Sequence, residues 1–194
     1  MIGNSIAGFL GTGVAPAAPN SYESIATVTV GSGGTSSISF SSIPSTYTHL
    51  QIRAFVKAGS GGGSDGQAMI RVGNGSVDTA SNYSYHSVYG TGATASANNS
   101  GTGQNAWYPY AIPDNSTSAF AVWVVDILDY ANTNKYKTIR ALAGFDTNNG
   151  GSCEVNLSSA NWRSTSAINI ITWAPSPASW VQYSHFALYG IKGV

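Results

Sequence analysis

The chain has 194 residues, of which only 8% are charged, and its 8 basic and 8 acidic side chains cancel. Because an ordinary soluble domain carries about 25% charged residues, the polar surface here must consist largely of Ser, Thr, Asn and Gly. The balanced charge excludes the basic surface of a nucleic-acid-binding protein and the polybasic patch of a membrane-surface protein. We therefore expect neither nucleic acid nor membrane insertion among its interactions.

The first residues, MIGNSIAGFLGTGVAPAAPN, form an apolar stretch that glycine and polar residues dilute. No Lys or Arg precedes this stretch, as a secretory signal would require, and a membrane-spanning run of about 20 apolar residues is absent. We interpret residues 1–20 as an extended arm that becomes ordered only against another subunit. Its candidate contact residues are the large apolar side chains Ile2, Ile6, Phe9 and Leu10.

From Ser21 onward, apolar and polar residues alternate with a period of two. The segments IATVTV, HLQIRAFVKA and AINIITWA show this alternation and are rich in β-branched and aromatic residues, which is typical of half-buried strands. Clusters of Gly, Ser and Asn separate the segments and mark turns. Residues 21–194 are therefore predicted to form a single all-β domain, an antiparallel β-sandwich of jelly-roll type that follows the extended N-terminal arm.

Two stretches in the second half of this domain lead to more specific expectations. The stretch GTGATASANNSGTGQN at 90–105 is too long for a hairpin turn, so we interpret it as a loop that is mobile or ordered by an interface. The run AFAVWVVDILDY at 119–130 is apolar on both faces until Asp126. This run predicts a central strand that is covered on each side or a strand at a sandwich core.

The C-terminal stretch QYSHFALYGIKGV also alternates as a strand does. Phe186 and Leu188 share one face, which we expect to point into the core. Tyr183, His185 and Tyr189 share the other face, which is too aromatic to be left in water. We therefore expect these three residues to be covered by a neighbouring subunit and to serve in assembly.

Patterns of catalytic or metal-binding residues are not found in the sequence. Asp126 and Asp129 are the one close carboxylate pair, but three residues apart on a strand they point to opposite faces, whereas glycoside hydrolysis needs two carboxyls across one cleft. His49, His86 and His185 are far apart and lack the spacing of a zinc site. We therefore predict a protein that is not an enzyme and that needs no metal or cofactor.

Tyrosine and tryptophan residues on either side of 90–105 provide the one positive signal for binding. Exposed rings of this kind stack on sugars or anchor a protein interface, although the same rings could equally fill the sandwich core. Tyr83 and Tyr85 share strand parity, so both should face the same side. The candidate binding platform consists of Tyr83, Tyr85, Tyr89, Trp107, Tyr108 and Tyr110.

The segments SYESIATVTVGSGG, FSSIPSTYTHLQIR, VVDILDYANTNKYKTIRALAGFD and QYSHFALYGIKG resemble, in this order, a widespread group of tailed-bacteriophage structural proteins that is common in aquatic phages. The resemblance covers most of the chain after about Asn20. It implies a virion component rather than an enzyme, assembled in the cytoplasm of the host bacterium. It also implies a small homo-oligomer, such as a homotrimer, that contacts other virion proteins.

Three functional hypotheses remain at this point. The first is a tail appendage, meaning a short fibre, tail-tip or baseplate subunit that docks by its N-terminal arm and presents loops to the host. The second is a capsid decoration protein that stabilises the coat lattice, and the third is a lectin-like module that binds a host-surface glycan. The aromatic residues that flank 90–105 favour the first hypothesis. The lack of heptads or of a triple β-helix repeat for a fibre shaft favours a short appendage or the capsid position.

Overall fold

In the computed structural model, twelve β-strands form the regular structure of the residues that are described. The structure describes residues 21–59, 66–113, 116–148, 153–176 and 178–192. Within these ranges no helix is long and apolar enough to cross a membrane. The strands are β1 (Tyr22–Thr29), β2 (Ile38–Phe40), β3 (His49–Val56), β4 (Gln67–Asn74), β5 (Ser76–Val77), β6 (Tyr83–Gly90), β7 (Ala95–Gln104), β8 (Ala121–Leu128), β9 (Lys137–Asp146), β10 (Cys153–Trp162), β11 (Ile170–Ser176) and β12 (His185–Ile191).

The strands form two antiparallel sheets of unequal size. The larger sheet has eight strands in the order β1-β12-β3-β8-β9-β10-β6-β7, and the smaller has four in the order β2-β11-β4-β5. The chain changes sheet repeatedly, so that strands distant in sequence, such as β3 and β12, become neighbours. The prediction of an all-β antiparallel sandwich is confirmed. The predicted N-terminal arm, residues 1–20, lies outside the described residues.

The core lies between the two sheets and is centred on aromatic residues from both. The Trp173 ring of β11 lies 5.3 Å from the rings of Trp123 and Phe186 in the larger sheet, in edge-to-face contacts. Such pairs contribute about 0.5–1.5 kcal/mol beyond the burial of their area. Trp180 joins the cluster and donates a hydrogen bond of 3.1 Å from Nε1 to the Trp173 carbonyl oxygen. Interlocking aromatic side chains therefore hold the two sheets together.

Strand β12 lies inside the larger sheet, between β1 and β3. Phe186 and Leu188 are fully buried, which confirms that this side of the strand faces the core. Gly190 packs against the ring of Tyr47 so closely that any Cβ at this position would overlap the ring carbons. Lys192 donates a hydrogen bond of 2.6 Å from Nζ to Glu23 Oε1 and thereby ties the end of β12 to β1. Residues 185–192 are therefore an integral part of the sheet.

Residues 90–105 are mostly a strand rather than a long loop, which corrects the sequence-based prediction. Strands β6 and β7 form a hairpin, and its turn contains a hydrogen bond of 3.0 Å from Thr91 N to Thr94 O. Strand β7 is the last strand of the larger sheet, and most of its side chains are exposed on both faces. Because an edge strand that buries neither face needs no apolar alternation, its Ser, Asn and Gly residues give no strand signal.

Strand β8 lies in the middle of the larger sheet, between β3 and β9, as its apolar composition predicts. One of its faces packs into the core through Trp123, Val125 and Ile127, which are fully buried. The described residues leave the other face open, and Val122 is 56% exposed there. Of the two predicted alternatives, the strand at the sandwich core is therefore the one observed in a single chain, and an apolar surface remains open to solvent.

Candidate assembly interface

The side of the larger sheet that points away from the smaller sheet carries a patch of apolar side chains. Its members come from strands β3, β6, β8, β9 and β10 and are each about half exposed. We call this patch the apolar face. It consists of Phe55 (46% exposed), Val88 (56%), Val122 (56%), Leu142 (55%), Val155 (62%) and Leu157 (46%).

Strand pairing brings the members of the apolar face side by side. Two rows of paired residues cross β3, β8, β9, β10 and β6 in that order. The first row consists of Phe55, Val122, Gly144, Val155 and Gly90, and the second consists of Arg53, Val124, Leu142, Leu157 and Val88. Neighbouring strands lie about 4.8 Å apart, so side chains that share a row are within contact range of one another. The apolar face is therefore one continuous surface.

The first part of strand β10, up to Ser158, is oriented against the preference of its own side chains, whereas Ala160 and Trp162 further along the strand are buried in the core. Val155 and Leu157 point to solvent, whereas the alternate residues Glu154, Asn156 and Ser158 are buried, with exposures of 3%, 1% and 2%. Burying a carboxylate or an amide is costly unless it is well bonded, and a valine or leucine in water gives up its hydrophobic stabilisation. A strand with this orientation fits a molecule in which the outer side of β10 also becomes buried.

The apolar face is comparable in area with the largest apolar patch on a typical monomer, which is often functional. Its half-exposed side chains present on the order of 500 Å² of apolar area, near the upper end for the largest patch on a typical monomer. A standard protein interface buries roughly 800 Å² on each partner, of which roughly 60% is apolar. The apolar area of this patch therefore matches what one standard interface requires.

A shallow groove extends the apolar face towards the β6–β7 hairpin. The groove has a volume of about 710 Å³ and is lined mainly by Val88, Ala95, Ala97, Val155 and Leu157. The two alanines of β7 are small, which leaves room for an inserted side chain of a partner. The groove therefore gives this surface a concave region that a partner of complementary shape can fill.

A polar row borders the apolar face on the side nearer the β8–β9 turn. Arg140 Nη2 donates a hydrogen bond of 2.9 Å to Asp126 Oδ2, and Gln51 Nε2 donates one of 2.8 Å to Asp126 Oδ1. Arg140 is largely exposed, so this ion pair contributes little to the stability of the chain itself. An apolar centre beside polar groups of both charge signs is the usual composition of a protein interface.

The six predicted platform residues fall into two groups. Tyr83 and Trp107 are fully buried, which corrects the expectation that they belong to an exposed surface. The Tyr83 hydroxyl donates to the Val72 carbonyl oxygen over 3.0 Å, and burial raises the pKa of this hydroxyl well above its ordinary value. The remaining four residues are half-buried and lie on or near the β6–β7 hairpin: Tyr85, Tyr89, Tyr108 and Tyr110.

Tyr89 and Tyr110 line a pocket beside the turn of this hairpin. The pocket has a volume of about 360 Å³, and we call it the tyrosine pocket. Tyr85, on the same face of β6 as Tyr89, pairs with Tyr108 at a centroid separation of 6.3 Å, and burial raises its pKa. The other lining residues are polar: Thr91, Thr94, Asn98 and Glu154.

The predicted assembly residues near the C-terminus have different surroundings. Tyr183 precedes β12 and is 67% exposed. His185 Nδ1 lies 2.8 Å from the Thr29 hydroxyl, and the Tyr189 ring lies 5.1 Å from the ring of Tyr22. Strand β1 of the same chain thus supplies part of the cover for β12, and contact with a neighbouring subunit stays a prediction. The arm residues lie outside the described residues: Ile2, Ile6, Phe9 and Leu10.

The two close carboxylates take part in separate ion pairs. Asp126 pairs with Arg140, and Asp129 pairs with Lys135, whose ammonium group holds the pKa of the Asp129 carboxyl below its usual value. His49 Nδ1 accepts a hydrogen bond of 2.9 Å from the Asp129 backbone N–H. In the part of the chain that the structure describes, no group of three or more His, Cys, Asp or Glu residues is placed to hold a metal ion.

Comparison with known proteins finds no match to any protein-family model and no matching curated protein. Among solved structures, the CBM2 module of the evolved Dit protein of Lactobacillus casei BL23 phage J-1 is similar to 81% of this chain and to 70% of its own chain. The sequence identity is 11% and the TM-score is 0.27.

Proposed function

We propose that this protein is a structural subunit of a bacteriophage virion and that it assembles with copies of itself through the apolar face. The observation that carries the proposal is the orientation of β10, in which Val155 and Leu157 are exposed while Glu154 is buried. In a chain that functions alone, two large apolar side chains left in water give up their hydrophobic stabilisation. The resemblance to tailed-phage structural proteins supplies the virion context.

A second copy of the chain is the partner that suits the apolar face best. In a symmetric interface the same surface meets itself and must therefore be self-complementary. The polar row supplies this property because it contains both the carboxylate of Asp126 and the guanidinium group of Arg140, and the Arg53 guanidinium adjoins it through a hydrogen bond to Gln51 Oε1. The apolar area also corresponds to one standard interface, so a single contact of this kind accounts for the whole patch.

We assign the subunit to a tail appendage in preference to the capsid. The half-buried tyrosines on or near the β6–β7 hairpin support this placement, because tyrosine combines a large apolar ring with a polar hydroxyl and suits contact with a host surface. Capsid decoration is the alternative, and it would direct the apolar face onto coat subunits instead of a second copy. The two placements differ in where the chain lies on the particle, which cryo-electron microscopy of purified virions determines. Absence of the chain from those virions would overturn both.

Light scattering coupled to size-exclusion chromatography tests self-assembly. Leu157→Lys places a charge in the centre of the apolar face and should convert the oligomer into a monomer. Tyr136→Lys is the matched control, because Tyr136 is 53% exposed but lies between β8 and β9, away from the two rows. Circular dichroism should show that both variants keep the β-sheet spectrum. The proposal of self-assembly would be wrong if the wild-type chain were monomeric at every accessible concentration.

A further inference from the structure

We propose that the tyrosine pocket is a binding site for a neutral saccharide, a role that stands apart from self-assembly through the apolar face. The pocket lies on the inner side of the larger sheet, because Tyr89 and Glu154 both point away from the apolar face. Its volume of about 360 Å³ lies within the range of small-molecule sites, towards the lower end. This size suits a short saccharide segment rather than a large cofactor.

The aromatic lining supplies the first requirement for binding a sugar. Tyr89 comes from β6, whereas Tyr110 comes from the connection between β7 and β8, so rings from two separate segments border the same space. The face of an aromatic ring is electron-rich and packs against polarised C–H groups, such as those on one side of a pyranose ring. The hydroxyl group of each tyrosine adds a donor and an acceptor beside that contact.

The polar lining supplies the second requirement, which is a set of fixed hydrogen-bonding groups. Glu154 is 3% exposed, and its Oε1 accepts a hydrogen bond of 2.9 Å from Asn156 Nδ2, so the carboxylate is held in one orientation. A carboxylate accepts hydrogen bonds from adjacent sugar hydroxyls, and such charge-assisted bonds are among the stronger ones. The Thr91 and Thr94 hydroxyls lie 3.1 Å apart at the rim and can each donate or accept.

The charge of the lining selects among ligand classes. None of the described lining residues is a lysine or an arginine, and the one acidic side chain is Glu154. An anionic sugar or a phosphate would therefore find no cationic partner among these residues. Three of the six lining residues, Thr91, Thr94 and Asn98, offer neutral hydrogen-bonding groups that a quaternary ammonium ion, which has no N–H donor, leaves unused. The lining as a whole favours a neutral, hydroxyl-rich ligand.

Saturation-transfer NMR on the full chain tests this assignment with defined probes. Maltotriose, cellotriose and chitotriose are the neutral probes, choline chloride is the cationic probe, and galacturonate is the anionic probe. We expect transfer to at least one neutral probe and none to galacturonate. Tyr110→Ala should weaken that binding by about tenfold or more, as loss of a stacking ring does, whereas Tyr136→Ala removes an exposed tyrosine elsewhere and should have no effect.

Two further variants keep the test decisive. Asn98→Ala truncates a half-buried side chain on the edge strand β7 and should weaken saccharide binding even if Tyr110→Ala perturbs the fold. Glu154→Gln keeps an acceptor oxygen but removes the charge, so saccharide binding should fall only a few-fold while any choline binding should disappear. Transfer to choline alone, no transfer to any neutral probe, or saccharide binding that both Tyr110→Ala and Asn98→Ala leave unchanged would overturn the proposal. The Leu157→Lys variant should bind the same probe as the wild type. Loss of self-assembly can therefore be distinguished from loss of saccharide binding.

Discussion

Glu154 and Val155 are consecutive residues of β10, yet Glu154 is 3% exposed and Val155 is 62% exposed. The carboxylate faces inward to the tyrosine pocket, and the isopropyl group faces outward on the apolar face. Both positions contradict the ordinary preference of the side chain in an isolated domain. One strand thus connects the proposed ligand site with the proposed assembly surface.

Thermal stability should depend on the concentration of the protein. Because assembly removes folded chains from the monomer pool, it stabilises the folded state by mass action, and the Tm should rise across about a hundredfold increase in concentration. Differential scanning calorimetry measures this shift. Val155→Lys should abolish the concentration dependence, since it charges the apolar face without touching the core. A wild-type Tm that stays constant over the whole range would argue against assembly through this surface.

Gly190→Ala should destabilise the fold. A Cβ at Gly190 would overlap the ring of Tyr47, so the ring or strand β12 has to shift. Overpacking of this kind costs about 1–3 kcal/mol of unfolding free energy, which urea denaturation measures. Gly33→Ala is the matched control, because an added Cβ there meets no atom within 4 Å. If the two variants were equally stable, the Tyr47 ring would accommodate the added Cβ at position 190 without strain.

Asp78 should make stability depend on pH in the acid range. Burial of its carboxyl opposes ionisation, but hydrogen bonds from Asn82 Nδ2, Trp162 Nε1 and Ala80 N outweigh it and lower the pKa of Asp78. A carboxyl with a lowered pKa in the folded state stabilises the protein above its unfolded pKa of about 3.9. That stabilisation is lost as the pH falls through the lower pKa that Asp78 has in the folded state.

Asp78→Asn is the variant that isolates this effect. An amide presents N–H groups to the donors of Asn82 and Trp162, so we expect a loss of about 1–3 kcal/mol at neutral pH. The difference from wild type should shrink as the pH falls below about 3.9, because the carboxyl is then protonated first in the unfolded state and, at lower pH, in the folded state as well. Asp146→Asn, at an exposed position at the end of β9, should change stability by less than about 0.5 kcal/mol. A difference for Asp78→Asn that does not vary with pH would rule out the ionised carboxylate as its cause.

Alternation in the sequence was sufficient to predict the sandwich and the orientation of β12. Phe186 and Leu188 are the apolar residues on one side of a strand with a clear two-residue period, and both are buried. Strand β7 could not be predicted in the same way, because it packs neither face and its Gly, Ser and Asn residues carry no periodic signal. Periodicity detects burial, so it misses a strand that backbone hydrogen bonds alone define.

The site was harder to predict than the fold. The sequence identifies Tyr89 and Tyr110 as candidates, but it ranks them with Tyr83 and Trp107, which are fully buried. Aromatic residues satisfy the hydrophobic core and a binding surface equally well, so composition cannot separate the two uses. The apolar face was missed for a related reason: an alternating strand has two faces, and only the packing of its neighbours decides which one points inward.

Both edge pairings of the larger sheet contain irregularities. The pairing of β1 with β12 shifts register between Ser24 and Ala26, and the pairing of β6 with β7 shifts twice, near Ser84. An open edge strand is a template for a further strand, and bulges weaken it as a template. The two edges of the larger sheet are thereby poorer templates for an added strand, whereas its outer face stays open to contact with another surface.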